Sequence, residues 1–192
     1  MNKYKKDRLL SASSIQKLKE LIGGTYKYLG GSSLSVFRTG FVSIVTEASA
    51  VTVCADLELR DFEGFEDEYP QVFVLEADPE EIRKMESGGS MYVQGQGQVI
   101  KAVSLIRETL VASDRGVEVW SETSDIGVLI HLERLTISIG LLTNFEVLFF
   151  VDFHANFDIS QLEATAMVDS DNLFRTLDVS REIIPLESGA RV

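Results

Sequence analysis

At 192 residues, 45% of them hydrophobic, the chain is long enough to bury a real core and short enough to be one domain. Its formal charge of −12 argues against nucleic acid as a partner, because binding phosphate needs a basic surface. One cysteine, Cys54, excludes an intrachain disulfide, and the N-terminus has no long apolar leader, the pattern expected of a cytoplasmic protein.

The charge is unevenly placed. Residues 1–27 carry seven bases and two acids, whereas residues 56–86 carry twelve acids and three bases. Residues 1–12 are expected to be a basic, flexible arm, 13–187 the domain, and 188–192 a tail. Ser13 with Gln16 forms a capping-box pattern, Ile15, Leu18 and Ile22 recur at helical spacing, and Gly23-Gly24 supplies the stop. A short helix is therefore predicted there.

From Tyr26 the pattern turns to strands. Residues 34–45 and 50–59 are rich in Val, Ile and Thr, and residues 47–49 form a hairpin connection. Alternation sets Val51, Val53, Ala55, Leu57 and Leu59 on one face, with Cys54 and Asp56 on the other. Residues 62–70 are acidic, contain Gly64 and end in Pro70, so they read as a loop before a strand over 71–77. Asp78, Pro79 and Glu81 form a helix start, predicting a helix over 79–87 closed by Gly88-Gly89.

Residues 99–112 fit both helical and strand spacing. A strand is favoured because residues 113–116, Ser-Asp-Arg-Gly, read as a hairpin turn into a strand from Val117. Residues 35–43 and 104–112 share Ser, Arg and Val at matching places, as an internal duplication of a β-unit would leave. The centre of the sheet is assigned to residues 127–153, where three apolar runs (127–132, 135–141 and 145–153) read as consecutive antiparallel strands. Residues 135–153 are long enough to span a bilayer, but Asn144 and Glu146 sit inside them, and a central charge costs about 2.5–3.5 kcal/mol on insertion scales. No membrane association is expected.

Asp158 with Gln161 predicts a further helix to about residue 168, and residues 179–186, carrying Pro185, read as an edge strand or strand end. The fold class is α+β: a β-rich single domain, mainly antiparallel sheet with a few short helices. A homodimer is expected through residues 179–186 or the face of 145–153, because unblocked edge strands recruit another chain.

Few residues have the chemistry for a reaction. Gly95 and Gly97 do not make a dinucleotide fingerprint, since Ile100 stands where the third glycine belongs, and no cofactor is predicted. There is no Gly-x-Ser-x-Gly turn for a serine nucleophile. His131 reads as a half-buried sheet residue and Cys54 as a structural thiol. The first functional reading is a non-enzymatic binding protein that captures a basic protein partner, in the manner of an immunity protein or inhibitor. Asp61, Glu63, Glu66, Asp67 and Glu68 would make the contact. The alternative is a metal-assisted hydrolase or lyase built on Asp152, His154 and Asp158, since Asp-x-His offers an oxygen and an imidazole nitrogen. A third is a sheet that binds an apolar ligand among its phenylalanines.

Overall fold

The computed structural model describes residues 4–31, 38–62, 65–78, 82, 90–141, 149–158 and 175–187. In chain order the elements are β1 (Tyr4–Arg8), α1 (Ala12–Glu20), β2 (Tyr26–Gly31), β3 (Arg38–Thr39), β4 (Phe41–Thr46) and β5 (Ala50–Phe62). They continue with β6 (Phe65–Ala77), β7 (Ser90–Tyr92), β8 (Ile100–Asp114), β9 (Val117–Leu132), β10 (Thr136–Leu141), β11 (Phe149–His154) and β12 (Arg175–Leu186). Among the described residues the fold is thus mostly strand with one short helix, a single β-rich domain as the sequence predicts.

The strands form two sheets. The first runs β12-β8-β9-β10-β11-β3, with β1 also paired to β9; the second runs β6-β5-β4-β2-β7. Every pairing is antiparallel except β1 with β9. The predicted meander stands at the centre of the first sheet, but its first strand starts earlier. Val117 to Leu132 is one strand, kept in register with β8 by three irregularities, one of them where Ile106 faces Gly127 and Arg107 faces Asp125. The turn before it uses Arg115 at φ 51° and Gly116 at φ 78°, the paired left-handed residues a tight hairpin requires.

Alternation decides which side of each strand is buried. Val103, Leu105, Val128, Ile130, Ile137, Ile139, Phe149 and Val151 of the first sheet meet Leu29, Val42, Ile44, Val51, Val53, Val72 and Val74 of the second. Leu18 and Leu21, from α1 and its end, complete that core. On the opposite face of the first sheet Ile106, Ile126 and Leu129 form a smaller cluster with Phe157 against it.

Three expectations are corrected. Residues 4–8 are not a free arm: they add β1 to β9, with Tyr4 opposite Trp120 and Arg8 opposite Ser124. Arg8 is buried because it ion-pairs with Glu122 and donates through Nη1 to the Pro70 carbonyl at 2.6 Å, so it bridges the two sheets. The described part of residues 62–70, Phe62 and 65–70, is not loop either but strand. β5 pairs with β6 from Ala50↔Ala77 out to Phe62↔Phe65, and Pro70 is tolerated because β6 is an edge strand. The helix cap falls at Ser11 rather than Ser13, its side chain accepting from the Ser14 amide at 3.1 Å, and Gly23 follows the helix at φ 86°.

The predicted helices over 79–87 and 158–168 fall almost wholly outside the described residues; Ile82 is helical and donates to the Asp78 carbonyl at 3.0 Å, a first-turn bond. The two echoing segments differ where both are described: 104–112 is one continuous strand, whereas 38–43 divides at Gly40 between β3 and β4. β12 is an edge strand with Ile183 exposed, as the sequence indicates. No helix among the described residues is long and apolar enough to cross a membrane.

Candidate functional site

The acidic segment occupies a distinctive place. β4 pairs with β5 only from Val45↔Ala50 to Phe41↔Cys54, then the chain crosses at β3 to the other sheet. Residues 55–62 of β5 therefore continue past β4, paired among the described residues with β6 alone. The result is a two-stranded ribbon, a structure only marginally stable by itself in water. Its root is tied down by Arg8 at Pro70. Gln71 steadies the side: with its amide turned to satisfy both groups, it donates to the two Glu58 oxygens at 2.7 and 2.8 Å.

Residues 56–68 hold seven acids and one base, of which six acids and the base lie on the described strands of this ribbon. The register sets Asp61 opposite Glu66 and Arg60 opposite Asp67. Like charges directly opposite destabilise a strand pair, so the first of these pairings works against the fold. Asp56, Glu58 and Glu68 are exposed. Of the five residues predicted to touch a partner, four lie on the ribbon strands, and Glu63 falls outside the described residues. The leucine stripe continues outward too: Val51 and Val53 are buried in the core, but Leu57 is 38% and Leu59 69% exposed. Cys54 lies at the root with its thiol pushed up to about 11, first by burial and then by the charge of Asp56, so it stays protonated at neutral pH.

A second polar group lies on the outer face of the first sheet. His131 on β9 sits between two hydroxyls, Ser104 Oγ at 3.1 Å from Nε2 and Thr136 Oγ1 at 3.2 Å from Nδ1. A neutral imidazole has one donor and one acceptor, and hydroxyls serve either tautomer. Two strands away, His154 Nε2 meets Ser138 Oγ at 2.9 Å and Asp152 Oδ2 at 3.8 Å, with Phe157 edge-on at 5.1 Å. Ser and Asp approach the same ring nitrogen, whereas a relay needs them on opposite nitrogens. Ser138 is also fully buried, so this trio is a packing cluster rather than a nucleophile.

Of the residues predicted as metal ligands, Asp152 and His154 come together as the alternation requires, and Asp158 is exposed beyond the strand end. Among the described residues no three His, Cys, Asp or Glu side chains converge as a metal site would need. Of the phenylalanines in residues 149–153, Phe149 is in the core, Phe153 packs on it, and the Phe150 ring lies over Gly140. A cleft of about 500 Å³ beside α1 is lined by Lys17, Glu20, Glu76 and Asp78 among others, and by no phenylalanine.

Burial sets the direction of the His131 titration. Desolvation lowers its pKa below the ordinary 6.5, so the folded state binds fewer protons than the unfolded chain as pH falls through that value. Stability should therefore decline below about pH 6.5 and be level in this respect above it. Urea midpoints at pH 7.5 and 5.0 check this. The wild type is expected to lose more than His131→Gln across that interval, and equal losses would contradict it.

The buried ion pairs could not be read from the sequence. Arg107 pairs with Asp125 at 2.8 Å, Arg181 with Glu108 at 2.7 Å, and Arg8 with Glu122. Their one sequence signal is polar interruption within the apolar strands β8 and β9. Set beside known proteins, the chain matches no protein family, no curated protein and no solved structure.

Proposed function

We propose that the protein is a non-enzymatic binding protein whose β5–β6 ribbon captures a basic protein partner. The observation that carries this reading is the ribbon itself. Among the described residues six acids against one base are set on a strand pair that continues past β4, and their register includes an acid-on-acid pairing that the fold does not need. A surface of this kind steers a basic partner electrostatically and loses the advantage in salt. If the partner is a nuclease, the carboxylates stand in for substrate phosphates, as an inhibitor or immunity protein requires.

The test is capture from cell lysate by the immobilised protein at low and high salt. Replacing Asp61, Glu63, Glu66, Asp67 and Glu68 with alanine should leave the circular dichroism spectrum in place. It should reduce recovery of basic proteins at low salt by roughly tenfold or more, within the range of steering effects. Unchanged recovery at low salt would remove the reading.

A further inference from the structure

The two edges of the second sheet at the ribbon are treated differently. Along β6 the outer edge is closed at Val74 and Pro70. The Val74 amide donates to Ser14 Oγ at 3.2 Å, Lys17 Nζ donates to the Val74 carbonyl at 3.4 Å, and Arg8 takes the Pro70 carbonyl. Pro70 itself has no amide hydrogen. Proline, charge and a covering helix are the ordinary devices that stop a sheet from growing. Along β5, by contrast, no described strand pairs with residues 55–62 on the side that β4 leaves at Cys54.

The direction of the backbone groups on that side follows from the pairing. Leu57 stands opposite Pro70, whose carbonyl faces Arg8 and so points away from β5. In an antiparallel ladder this is a non-hydrogen-bonded pair, and the Leu57 amide points to the edge that no described strand covers. It is held there by the preceding side chain, Asp56 Oδ1, at 2.9 Å. Side chains along this edge alternate: Asp56 and Glu58 on one face, Leu57 and Leu59 on the other.

We infer that this edge of β5 accepts an extended segment of the basic partner as an added strand, with lysine or arginine alternating with apolar residues. The inference rests on the acidic-ribbon reading and names the form of its ligand. A residue opposite Leu57 or Leu59 shares their face, and one opposite Asp56 or Glu58 shares the acidic face, so a period-two basic–apolar segment satisfies both. Its backbone replaces Asp56 at the Leu57 amide and frees that carboxylate for an incoming cation. A second copy of this chain fits the edge poorly, because it would set one acidic ribbon beside another.

The probe is a fluorescein-labelled nine-residue peptide alternating lysine and valine, titrated with the full chain and read by anisotropy at low salt. Two controls have the same composition: one with lysines and valines in separate blocks, and one alternating but N-methylated at every second amide. The alternating peptide should bind at least about tenfold tighter than either control, and Asp56→Asn with Glu58→Gln should weaken it. Equal binding of the block or N-methylated peptide, or no binding of any, overturns strand addition and leaves the acidic-surface reading to the capture assay. Retained capture by the five-alanine variant would overturn that reading instead. A wild-type dimer in light scattering that Leu57→Ser/Leu59→Ser converts to monomer would assign the edge to a second copy and overturn the basic partner.

Discussion

Arg181→Ala should destabilise the protein by about 3–5 kcal/mol, the cost of stranding one member of a buried ion pair. Glu108 is fully buried on β8, and its Oε2 accepts from Arg181 Nε at 2.9 Å and Nη2 at 2.7 Å. The two residues are register partners across β8 and β12, so the pair also marks the alignment of the edge strand. Removing the guanidinium leaves a buried carboxylate in the sheet without these two charge-assisted bonds. Removing both charges is a different matter, since a buried pair exchanged for apolar residues of similar volume is often neutral or stabilising. Urea unfolding of wild type, Arg181→Ala and the double variant Glu108→Met/Arg181→Met measures this. The single variant should be the least stable of the three. A single variant within about 1 kcal/mol of wild type would show that the pair contributes little more than an exposed one.

Gly127→Ala should cost at least the upper part of the about 1–3 kcal/mol typical of overpacking. Gly127 and Gly140 face each other across β9 and β10. A Cβ at Gly127 would lie 2.4 Å from the Ile139 carbonyl oxygen and 2.8 Å from the Gly140 Cα. Those are backbone atoms of the central strand pair, and they move only if the strands separate. Gly140→Ala meets a softer obstacle, the Phe150 ring at 2.7 Å, which has side-chain torsions to yield with. Thermal or urea unfolding should therefore rank Gly127→Ala below Gly140→Ala. Replacing Phe150 with leucine should recover part of the Gly140→Ala loss and none of the Gly127→Ala loss. The reverse ranking would mean that the strand pair is looser than its contacts imply.

The central meander was legible because its signals are local: β-branched and aromatic runs separated by turn residues. The Ser-Asp-Arg-Gly turn was legible for the same reason, and it favoured a strand over residues 99–112, where the structure has β8 from Ile100 to Asp114. The acidic ribbon was half legible. Its concentration of charge is plain in the sequence, but Gly64 and Pro70 suggested a loop. An edge strand tolerates that proline, and being an edge is a property of the sheet rather than of the segment. Asp152 beside His154 followed from alternation alone. The contacts of His131 with Ser104 and Thr136 did not, because they depend on register across three strands.

The sequence by itself determined the β-rich class, a short helix near the N-terminus, the place of the central strands and the concentration of acid between residues 56 and 86. Each of these depends on composition or on neighbours within a few positions. Only the tertiary structure decided that residues 4–8 are a strand, that Arg8, Arg107 and Arg181 are matched with buried acids, and that one edge of the second sheet is closed while β5 runs on past β4. Arg8 and Glu122 lie 114 positions apart, Arg181 and Glu108 73. Isolated charges in strands read as surface until the partner strand is known, because whether a charge is buried is set by what the fold brings to meet it.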